Sequence, residues 1–347
     1  MSPEPFVTVI VPVRNEIRTI DRCLAALVDQ DYPQSRIEIL VVDGASDDGT
    51  PEAVRQRAAA APHIRLLENP DGRAAAGMNL GIAAARGEVV ARVDGHAIVP
   101  PDFVSRTVDA LVRRPDVACV SGALVTLGRT ATGRAIAAAM SSIAGVGWAR
   151  FRTGARRERL VDTVAFPVYR RATLERLGKL DEELVRNQDD ELNLRLTRAG
   201  GRILLLPDLR IVYFCQSTLR GLWRQYFQYG FWKVRVIQKH GAPASWRHLV
   251  PGALVAALAV LLPLALVPAL RPLALGAVGA YAAAVVAASV ALGATHGVLL
   301  VPRIAAAIAT LHVAYGCGFW KGLATFGVPR PGRAEVLPVS LAEDHGR

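Results

Sequence analysis

The chain has 347 residues, a formal net charge of +11 and 52% hydrophobic residues. That length suggests two units, and the apolar excess is uneven: from Leu249 to Leu300 the only charged side chain is Arg271. A basic part joined to an apolar tail points to a membrane surface and anionic ligands, and the lack of zinc-finger spacing or a groove-reading basic helix argues against nucleic acid. The four cysteines (Cys23, Cys119, Cys215, Cys317) are scattered without a Cys-x-x-Cys pair, which fits a reducing compartment. Val7 to Val13 is too short an apolar run, and lacks the basic flank, to read as a signal peptide.

Val7-Thr-Val-Ile-Val-Pro-Val13 reads as a central strand, followed by the polar loop Arg14-Asn-Glu16. Ile17, Ile20, Leu24, Leu27 and Val28 recur at helical spacing, and Ile37 to Val42 is a second strand ending at Asp43. A right-handed βαβ crossover sets both strand ends on one edge of a parallel sheet, where ligands bind. The turn-rich loop after Asp43 ends at Thr50, a good N-cap, and Pro51, a good first helical residue. A helix to about Ala60, a strand Ile64 to Glu68, a small-residue helix Arg73 to Ala85 and a strand Glu88 to Asp94 follow. Strands and helices alternating in this way predict an open, doubly wound α/β sheet.

Beyond His96 the pattern predicts a helix to about Arg113 and a strand from Ala118 to Val125. Gly128 to Arg159, rich in Gly, Ala and Arg, is expected to be a mobile loop with a helix. Val161 to Tyr169 is strand-like, and Arg171 to Leu177 is a short helix. Asn187 can cap a helix with Leu192 and Leu196 inward, Gly200-Gly201 ends it, and Arg202 to Pro207 begins another strand. Gln216 to His240 interleaves aromatic and basic residues, which suits either the headgroup layer of a membrane or an amphipathic helix packed on the domain. Leu249 to Leu270 and Leu273 to about Gly293 are long enough to span a bilayer; Ile304 to about Trp320 is a marginal third span. Basic residues before Leu249 favour the cytoplasmic side for the preceding part, and the tail after Lys321 is polar and expected to be poorly ordered. Two spans would place the C-terminus inside and three would place it outside.

Chemistry concentrates at Val93-Asp-Gly-His96. Gly95 lets Asp94 and His96 turn toward one point, where a carboxylate and an imidazole could hold a divalent cation and, through it, a diphosphate. An ordinary Asp-Gly turn would read the same way. A second acidic cluster, Asp189, Asp190 and Glu191, opens the helix after Asn187. Acids are favoured at any helix N-terminus.

Pro12-Val-Arg-Asn-Glu16, Val42-Asp-Gly-Ala-Ser-Asp-Asp-Gly-Thr50, Val93-Asp-Gly-His96 and Asn187-Gln-Asp-Asp-Glu-Leu-Asn-Leu-Arg-Leu196, in this order, resemble the family 2 glycosyltransferases of the GT-A fold. The likeness covers about Val7 to Tyr213, and with the apolar tail the chain is most similar to the succinoglycan-type (ExoA-like) exopolysaccharide branch. The resemblance implies a catalytic domain over 1–215; the composition beyond it gives a membrane-interface segment over 216–248, two or three transmembrane helices within 249–320 and a polar tail over 321–347. It implies that Pro12, Asn15, Glu16 and Asp43 hold the base and ribose of a nucleotide sugar, with Arg73 and Asn79 as further contacts. Asp94 and His96 stand where the family has an Asp-x-Asp metal motif; imidazole in the second place favours Mn²⁺ over Mg²⁺. Gln188-Asp189 stands where the family has a Glu-Asp pair, so Asp189 becomes the expected general base, with Asp190 and Glu191 as rivals. The implied reaction is inverting transfer from a nucleotide sugar, UDP-linked by analogy, to a polyprenyl-linked glycan at the cytoplasmic face of the plasma membrane. Transfer to polyprenyl phosphate itself and a silent nucleotide-sugar binder are the alternatives. The match to the Gln-x-x-Arg-Trp motif of processive relatives is poor at Gln216 to Arg224, which favours one sugar per encounter.

Overall fold

The computed structural model describes residues 4–328. They group into two units, one of 4–125 with Gly154–Tyr213, the other of Thr126–Thr153 with 214–328.

The first unit opens with β1 (Val7–Val13), α1 (Ile20–Val28), β2 (Ile37–Asp43), α2 (Thr50–Ala60), β3 (Ile64–Glu68), α3 (Ala74–Ala84) and β4 (Val89–Arg92). The four strands lie in the order β3-β2-β1-β4, all parallel. All seven residues of β2 are buried, as a strand covered on both faces must be. Helix α3 packs on β1 and β2, and a Cβ at Gly81 would sit 2.5 Å from Ile10 Cγ2, so the approach needs a residue without a side chain there. Ile20, Cys23, Leu24 and Leu27 form the buried stripe of α1, whereas Ile17 lies before the helix and is exposed. Thr50 is the first residue of α2 rather than its cap; Gly49, at φ 91°, takes the cap position. The Thr50 hydroxyl instead accepts from the Glu16 amide at 2.9 Å.

The sheet does not stay parallel. A two-residue strand β5 (Ala97–Ile98), α4 (Phe103–Arg113) and β6 (Val117–Leu127) follow β4. After an excursion into the second unit, which holds α5 (Ala131–Met140), α6 (Ile143–Val146) and α7 (Arg150–Thr153), come β7 (Arg159–Val161), β8 (Val168–Arg170), α8 (Arg171–Leu177), α9 (Gln188–Arg198) and β9 (Arg202–Phe214). β8 pairs antiparallel with β4 and β6, and β9 pairs antiparallel with β5 and β7. The predicted continuous strand from Val161 to Tyr169 is therefore broken. The Ser121 hydroxyl donates to the carbonyls of Ala165 and Phe166, Asn193 donates to Thr163, and Phe166 adopts φ 51°. Buried partners outside the ladder take the polar groups that a strand would pair.

The second unit contains α5 (Ala131–Met140), α6 (Ile143–Val146), α7 (Arg150–Thr153), α10 (Leu219–His240), α11 (Val250–Leu264), α12 (Arg271–His296) and α13 (Val301–Phe326). The expected mobile loop at 128–159 is thus largely helical, with α5 capped by Thr130 and α6 by Ser142. Its alanines face neighbours on most sides, which removes the polar face that would have betrayed a helix. Among the described residues, Trp246–Leu264, Arg271–His296 and Val298–Phe326 are long and apolar enough to cross a membrane. α10 and α13 run side by side, with Gly230 against the Tyr315 carbonyl, Gly318 against that of Phe227 and Gly322 against that of Phe231. Helix α13 continues past Lys321, and the rest of the tail, 329–347, lies outside the described residues.

Candidate active site

The carboxyl ends of β1 and β2 lie side by side, Pro12 opposite Val42 and Val13 opposite Asp43. The loops after them interlock. Asn15, at φ 58°, accepts from the Asp47 amide at 3.0 Å and donates its own amide to Ser46 Oγ at 2.9 Å. Asp48 accepts from the Ile17 amide at 3.1 Å. Asp43 Oδ2 accepts from the Ser46 amide at 3.0 Å, while its Oδ1 is buried without a hydrogen-bond partner. A buried carboxylate oxygen left in that state costs free energy unless a ligand donates to it.

A second cluster forms at the end of β4. Arg92, Asp94, His96, Glu16 and Asp189 come together there. Arg92 Nε donates to Asp94 Oδ1 at 2.8 Å, and Arg92 Nη1 lies 3.6 Å from Asp189 Oδ2. The guanidinium is only 11% exposed, and Nη1 is buried without a hydrogen bond, so Asp189 is its electrostatic partner. His96 Nδ1 meets Glu16 Oε1 at 2.8 Å, and Glu16 Oε2 accepts from Thr19 Oγ1 at 2.8 Å. The His96 ring stands edge-on to Tyr213, centroids 5.5 Å apart. Burial alone would raise the Asp94 pKa; the Arg92 and His96 charges outweigh it and hold the carboxyl below the usual range. Burial would lower the His96 pKa, but the Glu16 hydrogen bond and the charges of Asp94 and Glu16 raise it overall. Burial also works against the Arg92 charge, and Asp94 and Asp189 overcome it.

Three features hold Asp189 at this point. Asn187, at φ 65°, turns the chain into α9. Leu192 and Leu196 are buried. Asn193, wholly buried, accepts from the Tyr169 hydroxyl at 2.9 Å and donates to Thr163 Oγ1 at 3.0 Å, tying α9 to β8. Among the rivals, Glu191 is 1% exposed and bonded twice to Arg195 at 2.8 Å, which removes it from any substrate.

Two residues expected at the nucleotide bond to the protein itself. Asn79 is buried in α3, where its amide donates to the Leu180 carbonyl at 2.9 Å and to Glu182 Oε1 at 2.7 Å, and accepts from the Leu180 amide. Arg73 pairs with Asp71 and donates to the Glu182 carbonyl at 2.6 Å. Both fasten the 180–182 segment to α3. Glu16, expected on the nucleotide, is the partner of His96. Sequence reasoning passed over Arg92, Tyr169 and Asn193; Arg92 was detectable as the one charge inside an otherwise apolar strand.

Among the described residues no three His, Cys, Asp or Glu side chains group to hold a metal by themselves. The donor chemistry at Asp94 and His96 does fit a cation shared with a diphosphate. The Glu16 carboxylate meets His96 at Nδ1 and leaves Nε2 outside that bond, the usual support for an imidazole that would ligate a metal. Arg92 engages Oδ1 of Asp94, leaving Oδ2 outside that bond.

This mixed sheet, with acids gathered at the ends of its parallel strands, has the form of a GT-A-like glycosyltransferase domain, and comparison with known proteins agrees. The model of the family described as Glycosyl transferase family 2 matches residues 8–178. The chain is 30% identical over 326 residues to the succinoglycan biosynthesis protein ExoA of Rhizobium meliloti, across 92% of this chain and 95% of that protein. It is 27% identical over 241 residues to a dolichyl N-acetyl-alpha-D-glucosaminyl phosphate 3-beta-D-2,3-diacetamido-2,3-dideoxy-beta-D-glucuronosyltransferase of Methanococcus voltae, across 67% of this chain and 74% of that one. A mannosyltransferase from Pyrobaculum calidifontis, solved with GDP-Man and Mn²⁺, matches with a TM-score of 0.63 and 27% identity, over 89% of this chain and 88% of that one. The chain belongs to glycosyl transferase family 2. It is a glycosyltransferase with a GT-A-like fold, followed by three apolar helices that could span a membrane.

Proposed function

We propose that this enzyme transfers a sugar from a nucleotide sugar, UDP-linked, to a polyprenyl-diphosphate-linked glycan at the cytoplasmic face of the plasma membrane, with inversion, in exopolysaccharide or cell-surface glycan synthesis. The observation that carries the reading is the bridge of Arg92 between Asp94 and Asp189, beside a nucleotide edge with an unpartnered Asp43 oxygen. Pro12, Asn15 and Asp43 line the base and ribose side. Asp189 takes the proton of the acceptor hydroxyl as that oxygen bonds to the anomeric carbon and the bond to the diphosphate breaks on the opposite face. Glu16 orients His96, and Arg92 holds the Asp94 carboxyl below its usual range and keeps Asp189 in place. Asp94 and His96 would hold a divalent cation, Mn²⁺ or Mg²⁺, which would supply positive charge near the diphosphate.

The lipid-linked acceptor is supported by the similarity to proteins of succinoglycan synthesis and dolichyl-phosphate-linked glycan transfer, and by the apolar helices. The test is sugar transfer in membranes carrying the protein or Asp189→Asn, offered labelled UDP- and GDP-sugars and native lipid extract, with Mn²⁺ or a chelator. Label entering the organic phase only with metal and only with Asp189 is the expected result. Chelator-resistant transfer would remove the cation, and transfer by the variant would remove Asp189 as base. Transfer from GDP-mannose alone would replace the UDP donor, an outcome to which the GDP-Man complex of the Pyrobaculum calidifontis enzyme gives specific weight.

A further inference from the structure

Glu16, Asp94 and Asp189 bring their carboxylates to the end of β4, and the cations beside them are already engaged. Arg92 meets Asp94 and Asp189, and His96 meets Glu16. A donor diphosphate arriving beside Asp94 adds negative charge, and its terminal phosphate gains more as the bond to the anomeric carbon breaks. A divalent cation would offset only part of that charge. After Arg92 and His96, the next cation within electrostatic reach of Asp94 is Arg186.

Arg186 is exposed and makes no hydrogen bond or ion pair among the described residues, although Asp181, Glu182 and Glu183 precede it in the same loop. An exposed arginine on a loop is ordinarily just solvated, but this loop is fixed at both ends. At its start, Asn79 of α3 bonds the amide and the carbonyl of Leu180, each at 2.9 Å, and Arg73 donates to the Glu182 carbonyl at 2.6 Å. Leu184 is buried. At its end, Asn187 turns the chain at φ 65°, and its carbonyl accepts from the Glu191 amide at 2.8 Å to open α9. The fold therefore sets Arg186 three residues before Asp189 and near Asp94, with its guanidinium uncommitted.

We propose that Arg186 binds the terminal phosphate of the donor diphosphate and offsets the charge that this phosphate gains on departure. The acceptor oxygen bonds to the anomeric carbon, the bond from that carbon to the phosphate oxygen breaks, and the electron pair stays with the phosphate. The guanidinium meets two phosphate oxygens with its fork of donors and keeps its own protons throughout. This role rests on the nucleotide-sugar donor proposed above. One charge-assisted contact of this kind is worth at least about tenfold in affinity for the diphosphate.

The test titrates the full-length protein with UDP, UMP, GDP and GMP in Mn²⁺ buffer by calorimetry, as wild type, Arg186→Gln and Arg186→Lys. Sugar-transfer kinetics and thermal melting run alongside. The expected result is a loss of at least about tenfold in Arg186→Gln for whichever diphosphate the wild type prefers, with the matching monophosphate bound within about twofold of wild type. Its kcat falls, its Tm holds, and Arg186→Lys recovers part of both affinity and rate. Equal losses for diphosphate and monophosphate, or a lowered Tm, overturn the proposal by making Arg186 a general field or a structural residue. Unchanged diphosphate affinity with a raised KM for the lipid acceptor overturns it by moving Arg186 to the acceptor's phosphate. A wild type that binds neither diphosphate refutes the nucleotide-sugar donor itself and Arg186 with it, whereas a wild type that binds one and a Gln variant that binds it equally refute Arg186 alone.

Discussion

The guanidinium of Arg92 gives the sharpest test of how the site is held. It reaches Asp94 Oδ1 at 2.8 Å through Nε while Nη1 stands 3.6 Å from Asp189 Oδ2. Arg92→Lys keeps the charge and loses the fork, because a single ammonium cannot meet both carboxylates in that geometry. The loss is one charge-assisted contact, about 2 kcal/mol. If that contact fixes Asp189 during the reaction, kcat falls by about thirtyfold, with the KM for donor little changed. Arg92→Met leaves the part-buried carboxylates without a counter-charge, and its stability loss should exceed that of the Lys variant. The assay is steady-state sugar transfer with a labelled donor, alongside thermal melting of the purified protein. A folded Arg92→Lys enzyme with kcat within about twofold of wild type would refute the positioning argument. A raised KM at unchanged kcat would also refute it, by making Arg92 a donor-binding residue.

Other outcomes follow from the same geometry. Glu16→Gln should weaken Mn²⁺ binding about 10- to 100-fold, read by the signal of free Mn²⁺ in electron paramagnetic resonance, because it removes the carboxylate that orients His96. Asn193→Ala should cost about 1–3 kcal/mol of stability by leaving the Tyr169 hydroxyl and Thr163 unpartnered, visible as a lower Tm. Glu38, 1% exposed, accepts from Thr8 at 2.7 Å and from the Arg86 amide and Nε. Burial pushes its carboxyl up, and these bonds outweigh burial and hold it low. Its stabilisation is therefore present at neutral pH and is lost as pH falls below about 4.3, the unfolded value. Glu38→Gln should flatten the acid limb of a Tm-against-pH curve.

The parallel half of the sheet was readable because each strand is a short apolar run bounded by turn residues, as at Ile37–Asp43. The strands β5, β7 and β8 were not, since their few residues are strands only through partners far along the chain. Within the site, the spacing of Asp94 and His96 pointed to one locus, and the structure places Asp189 across Arg92 from it. The partner of Asn79 was not legible, because an amide on a small-residue helix carries no mark of it, and Leu180 is 101 residues away. Glu16 sits at the β1 edge as expected, but only tertiary packing shows that its carboxylate turns to His96.

That long reach of Asn79 bears on the order of assembly during synthesis. β1 to β4 and their helices are complete by Arg92, so the nucleotide edge can form while the rest of the chain is still being made. Asp189 joins only when the 180–182 segment docks on α3 and α9 docks on β8, both through partners far apart in sequence. A ribosome-bound fragment ending before α9 would therefore carry the edge proposed to hold the donor but not the carboxylate proposed as base.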